Sequence, residues 1–227
     1  MIPILKNEFF HTFKSFKSVA IVLFFTLTSV VTASYLTNHP ELLGNLDSQA
    51  AYTSSIKFLI FFFGFLFVFA VSHDIINREI DYQTIRLLVS KTSRLNIILG
   101  KFLGSFLFWI GAISISFLIV SLYARSWFLL DYLTVCTVLF FITCLNIFLS
   151  TWISRPSMTM FVGILLGILC PILGFWAAFS SNWYLLPFKY LLPYYYVVES
   201  NGYLVMPFII GILFLTASYF MFNRRDL

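Results

Sequence analysis

Six long apolar stretches, set between short segments that hold most of the charge, decide what this chain can fold into. The hydrocarbon core of a bilayer, about 30 Å thick, is crossed by about 20 residues of α-helix. Residues 18–36, 54–76, 102–123, 129–153, 158–179 and 204–222 have that length and character. The second stretch is uninterrupted only over 58–71, and it reaches full length when Lys57 and His73 sit at the two interfaces. None alternates with a period of two, which excludes a membrane β-barrel. Only 10% of the 227 residues are charged, against about 25% in a soluble domain. That composition also excludes a disordered chain and a disulfide scaffold. The expected fold is an all-α integral membrane protein: one transmembrane domain over 1–227 with six transmembrane helices.

The few charges predict topology. Of 14 Lys and Arg, 11 fall in residues 1–17, the 72–101 segment, the 154–157 turn and the C-terminal tail, all on one side. Lys57, Arg125 and Lys189 fall on the other. The positive-inside rule then places both termini in the cytoplasm of a multi-pass plasma-membrane protein. No basic face is dense enough for nucleic acid. Residues 1–17 read as an amphipathic interfacial helix. Ile2, Leu5, Phe9, Phe13 and Phe16 share an arc of about 80°, with Lys6, Lys14 and Lys17 beside it to reach anionic headgroups. No small-residue cleavage site follows, so the first span is expected to remain as an anchor.

Chemistry for catalysis is missing from the sequence. Gly100-Lys101 is followed by Phe102, so there is no phosphate-binding GxxxxGK[ST]. HExxH and GxSxG are absent, and His11, His39 and His73 lie in separate segments. Cys136, Cys144 and Cys170 sit in apolar runs without metal or disulfide spacing and read as packing residues. No cofactor or metal is therefore expected on this chain. The spans do carry packing signals. Gly100, Gly104 and Gly111 share one face of the third span, and Gly163, Gly167 and Gly174 repeat that spacing on the fifth. Both read as small-residue seams for helix packing or a dimer. Thr28, Thr32 and Tyr35 form a polar stripe on the first span; Thr143, Asn146 and Ser150 form one on the fourth. Interhelical hydrogen bonding is the simpler reading; the other makes Thr28, Thr32 and Asn146 part of a substrate path. Pro171 predicts a kink in the fifth span.

The connecting segments differ in content. Residues 37–55 are a polar outer loop without a motif. Residues 180–203 are aromatic and contain Pro187 and Pro193, which predicts short broken helices at the outer interface before the last span. Residues 74–101, the inner segment between spans two and three, mix charged and apolar side chains. They predict a short amphipathic helix over 81–89, a break in the Ser/Thr cluster at 90–93 and re-entry at Asn96. Such a helix is either a solvated connector or a docking element for a cytosolic partner.

This segment resembles the loop between spans two and three in membrane subunits of the ABC-2 family of ABC transporters. Glu79, Thr84, Leu87-Leu88, Ser90, Ser93-Arg94 and Gly100-Lys101 match that family's pattern in order and spacing. The six-span layout, the N-terminal amphipathic helix, the aromatic segment before the last span and the Arg224-Arg225-Asp226-Leu227 tail match as well. Two positions depart from the pattern: Gln83 stands where the family has Gly before Thr, and the Pro before Ser-Arg is absent. The resemblance implies a permease subunit without its own ATPase. It would pair with a cytosolic ABC ATPase, which would bind ATP and Mg2+, and with a second, identical or related membrane subunit. It would export an amphipathic or hydrophobic substrate such as an antimicrobial peptide, a lipid-like molecule or a drug. The resemblance makes the inner helix the coupling helix. Glu79, Asp81, Arg86 and Arg94 are then its charged contacts, Ile85 and Leu88 its apolar anchor, and Thr84 and Ser93 its motif positions. The competing readings are a membrane scaffold or sensor that uses the same loop to recruit a partner, and a secondary carrier. The carrier would need ionisable midplane groups and inverted repeats, and neither is evident in the sequence.

Overall fold

The computed structural model describes residues 1–39, 48–199 and 204–225. Residues 40–47 of the polar loop, residues 200–203 at the end of the aromatic segment and the last two residues of the tail lie outside the described residues. All regular structure among the described residues is helical, and six helices are long and apolar enough to cross a membrane.

Helix α1 (Ile2–Lys14) carries Pro3 in its first turn, where a missing N–H costs nothing. It stops at Ser15, whose backbone is extended (φ −68°, ψ 130°), and α2 (Phe16–Asn38) starts directly after. The amphipathic segment and the first span are thus separate helices. The second span is α3 (Ser48–Ser72). Two short helices follow, α4 (Asn77–Asp81) and α5 (Ile85–Lys91), instead of the single helix expected over 81–89. Between them Gln83 takes a left-handed φ of 57°, a conformation that costs a glycine little and other residues more. This is the position at which the resembled family has Gly, so the substitution leaves the turn in place with a backbone under strain. Helix α6 (Arg94–Ala124) starts well before the apolar stretch it contains, because Ser93 caps it by accepting a hydrogen bond from the Asn96 N–H. Helices α7 (Leu129–Trp152) and α8 (Pro156–Phe179) follow, and α8 stays helical across Pro171. The aromatic segment folds into a 3-10 turn (Trp183–Leu185) and the short helices α9 (Leu186–Leu191) and α10 (Tyr194–Glu199). Helix α11 (Val205–Asn223) is the last span.

The bundle is built around α7. In its most apolar stretch 72% of residues are buried, against 22% in α2 and α11. Helices α3, α6 and α11 pack on it. The main core joins Phe65 and Phe69 of α3, Trp109 and Ile113 of α6, and Phe141 and Ile142 of α7. A second core, of Ile75, Ile76, Ile85, Ile97, Phe102, Ile147 and Phe222, lies at the end of the bundle where α1, α4, α5 and the close of α11 gather.

The glycine seams pack different partners. A Cβ on Gly163, Gly167 or Gly174 would come within 2.5, 2.3 or 2.1 Å of Phe69, Leu66 or Tyr194. The fifth span is therefore notched to receive α3 and α10, and Tyr194 is held there by donating its hydroxyl hydrogen bond to the Phe61 carbonyl at 2.8 Å. On α6, Gly100 and Gly104 receive α1: a Cβ would lie 3.1 Å from Ile4 and 2.8 Å from Glu8. Gly111 was expected in the same seam but has nothing within 4 Å of a Cβ, because α1 does not extend that far along α6. Gly174→Ala is therefore expected to lower stability by about 1–3 kcal/mol through overpacking. Gly111→Ala should be neutral or stabilising by up to about 1 kcal/mol. Thermal unfolding of both variants in detergent checks the contrast.

Candidate functional site

The second core is crossed by one buried cation. Lys101, on the first turns of α6, is 1% exposed. An ammonium taken out of water costs several kcal/mol unless it is paired and hydrogen-bonded throughout. Here its Nζ donates to Glu8 Oε2 of α1 at 3.0 Å and to the Ile75 carbonyl at 2.6 Å, and it lies 2.8 Å from Glu79 Oε1 of α4. Three oxygens from three elements thus surround the ammonium.

The pairing decides how α1 sits. Its buried residues are Glu8 and Thr12. Most of the apolar arc expected to lead the helix is turned outward: Ile2, Phe13 and Phe16 are 74%, 55% and 86% exposed, while Leu5 and Phe9 are half-buried. The side of α1 that carries Glu8 and Thr12, with Ile4 and Leu5 beside them, faces the protein, and its one carboxylate finds Lys101 there.

Around Lys101, side chains of α7 satisfy the backbone that the turn between α3 and α4 leaves open, while α6 and α8 bond side chains of the same turn. Ser150 Oγ accepts from the N–H groups of Ile76 (2.9 Å) and Asn77 (3.2 Å). Asn146 Nδ2 donates to the Ser72 carbonyl at 2.8 Å. Asn77 Nδ2 donates to Thr159 Oγ1 at 2.6 Å, and the Ser72 and Ser105 hydroxyls are 3.3 Å apart. The polar stripe on the fourth span is thus, at Asn146 and Ser150, a clamp on the end of α3. This is where the structure puts Asn146, expected as a path residue: fully buried and committed to a helix end. Thr28 turns its hydroxyl to carbonyls of its own helix, Phe24 and Phe25. Thr32 is half-buried on the same peripheral helix, α2.

The segment clamped in this way has one face in and one face out. Ile85 is 2% exposed and lies in the second core, with Leu88 packed beside it. Both were expected to meet a partner; both brace the segment against its own bundle. The outward face instead carries Asp81, Tyr82, Gln83, Arg86 and Leu87. Tyr82 is 71% and Leu87 67% exposed. Of the charged residues expected there, Asp81 and Arg86 are outward and Glu79 is drawn in by Lys101. Thr84 stays on the surface and donates to the Glu79 carbonyl at 3.3 Å, tying α5 back to α4.

Arg94 has a structural task as well. Its Nη1 donates to the carbonyls of Phe222 (2.8 Å), Asn223 (2.6 Å) and Arg225 (3.1 Å), and its guanidinium lies 5.9 Å from the Phe222 ring. It thereby satisfies the open carbonyls at the end of α11. Arg225 repeats the device one helix over, donating to the Trp152 carbonyl (3.3 Å) and to Ser154 Oγ (2.8 Å) at the end of α7. The sequence reading missed the pairing of Lys101 with Glu8. Their signal was present: a lysine continuing into an apolar helix and a single acid on an otherwise basic N-terminal helix.

Lys101→Met should cost about 3–5 kcal/mol, because buried Glu8 and partly buried Glu79 lose their shared cation. Adding Glu8→Gln and Glu79→Gln should recover part of the loss, which thermal unfolding of the single and triple variants in detergent checks. Arg94→Ala should cost about 1.5–3 kcal/mol, the range for a hydrogen bond to a charged group. It should also speed proteolysis at the C-terminal tail.

No curated protein matches the chain. A family model described as ABC-2 family transporter protein matches residues 2–183, from the start of α1 through α8. It takes in the buried Lys101 cluster and the clamped segment with its outward Tyr82 and Leu87. On that match over most of its length, and with six helices able to cross a membrane, the chain belongs to the ABC-2 family of transporter proteins and is a permease component.

Proposed function

We propose that this chain is the membrane subunit of an ATP-driven exporter whose α4–α5 segment receives the motion of a separate cytosolic ABC ATPase. The observation that carries the proposal is the two-faced build of that segment. Its inner face is fixed by Lys101, Ser150 and Ile85 to α1, α6, α7 and the second core. Its outer face offers an aromatic, a leucine and two opposite charges to a partner. A push on such a segment is delivered to several helices at once, since a packed and hydrogen-bonded cluster moves as a unit. Tyr82 and Leu87 are the apolar contacts, and Asp81 and Arg86 set the register. Glu79, Ile85, Ser93 and Arg94 transmit the motion without touching the partner.

ATP and Mg2+ belong to the ATPase in this proposal, and a second membrane subunit completes the path. Both chain ends and α4–α5 face the cytoplasm of a bacterial plasma membrane, in keeping with 11 of the 14 basic residues on that side. The outward apolar side of α1, flanked by exposed Lys6, Lys14 and Lys17, suits the headgroup boundary. The substrate class is amphipathic or hydrophobic, in keeping with Phe-rich walls that hold few fixed charges.

In cells carrying the ATPase, a Tyr82→Ala/Leu87→Ala variant should lower ATPase co-purification and ATP-dependent efflux at least about tenfold, the scale of a lost apolar hot spot. Its melting temperature should stay at the wild-type value, whereas Glu79→Gln should lower it. Undiminished co-purification in the double variant, or binding with no ATP-dependent movement of any amphiphile in the wild type, would overturn the proposal.

A further inference from the structure

At the end of the bundle away from Lys101, α6 and α7 meet through residues 125–128 and leave a groove. Two apolar cavities of about 260 and 420 Å³ open there side by side and share Leu118, Ser121 and Trp127. The first reaches Ser114 and Tyr132, whose hydroxyls are 2.9 Å apart. The second includes Arg125, at the end of α6. At 1.5 Å of rise per residue, Ser114 lies about 16 Å back along α6 from Arg125. The space is therefore long and narrow, apolar along its length and cationic at one end, and that is the outline of an acyl chain below a headgroup. Trp127 and Leu122 at its mouth are 81% and 78% exposed. Both helices are long enough to span the membrane, so the groove opens sideways into the bilayer.

On the same end of the bundle Lys57 pairs with Asp131 at 2.9 Å, and Lys189 lies 4.4 Å from the Tyr195 ring centroid. Among the described residues no ion pair or side-chain hydrogen bond engages the Arg125 guanidinium. Its backbone is held left-handed (φ 51°) as the cap of α6, which fixes where the side chain starts. A guanidinium presents a planar fork matched to phosphate oxygens.

We propose that this groove is a binding site for one anionic membrane phospholipid, with an acyl chain between α6 and α7 along Leu118 and Phe117 and the phosphate on Arg125. The site does not depend on the coupling reading, because neither helix end involved touches α4 or α5.

The test is native mass spectrometry of the full chain, delipidated in detergent and titrated with phosphatidylglycerol or phosphatidylcholine. The wild type should hold one phosphatidylglycerol about tenfold more tightly than phosphatidylcholine, the scale of a charge-assisted hydrogen bond. Arg125→Asn is the informative removal, because Asn tolerates a left-handed backbone; it should weaken phosphatidylglycerol about tenfold and phosphatidylcholine, whose choline already offsets the phosphate charge, by less, so that the preference disappears. Arg125→Lys should keep part of the preference. Leu118→Trp, which fills the groove from an exposed position, should abolish retention of both lipids. Equal affinity for the two lipids in the wild type, or an unchanged preference in Arg125→Asn, would overturn the headgroup assignment. Tight phosphatidylglycerol in Leu118→Trp would overturn the groove.

Discussion

The end of the bundle that carries α1, α4, α5 and the close of α11 depends on the desolvated ammonium of Lys101. A buried charge of this kind stabilises only when its attraction to partners exceeds the cost of leaving water. The protein meets that condition with carboxylates from α1 and α4 and a carbonyl from the turn after α3, all within 3.0 Å. The consequence is architectural. An N-terminal helix with no covalent reason to lie along α6 is held there through Glu8, and α4 is drawn against the same point through Glu79. Gly100 and Gly104 let the α1 backbone come close enough for that bond to form. The small-residue seam and the ion cluster are parts of one device.

A membrane bundle needs such devices. Lipid tails are as apolar as leucine, so hydrophobicity does not draw one span onto another. The helices here are held by shape, as where Gly163, Gly167 and Gly174 admit Phe69, Leu66 and Tyr194, and by polar groups that have nowhere else to go. Asn146 and Ser150 on the central helix show the second mechanism: they occupy the open backbone groups of the turn at 72–77 and so fix where α3 stops. That stop creates the two-faced α4–α5 segment.

Much of the candidate site was legible as a segment, and less of it residue by residue. The stretch at 72–101 stood out because 8 of the 23 charged residues fall within 74–101. Its internal break at Gln83 was not legible: nothing in the charge pattern distinguishes one short helix from two, and the left-handed residue is not a glycine. Ile85 and Leu87 look alike as apolar residues of an amphipathic helix. The structure buries the first and exposes the second because α5 rests on Ile97 and Ile147 with one side only. Arg94 reads as a surface charge until α11, 128 residues further on, brings its last carbonyls alongside.

The sequence by itself determined how many helices cross the membrane, where they lie, and which end of the bundle collects the basic residues. Those properties follow from local run length and from the cost of placing charge in hydrocarbon. Only the tertiary structure decided which side of α1 turns inward, which side of α4–α5 stays free, and which charges are spent inside the protein. The reason is that the bilayer and the protein interior are equally apolar, so periodicity marks a face without saying where it points. The choice falls to polar partners far apart in the chain, such as Glu8 and Lys101 at a separation of 93 residues, which meet only once the helices have packed.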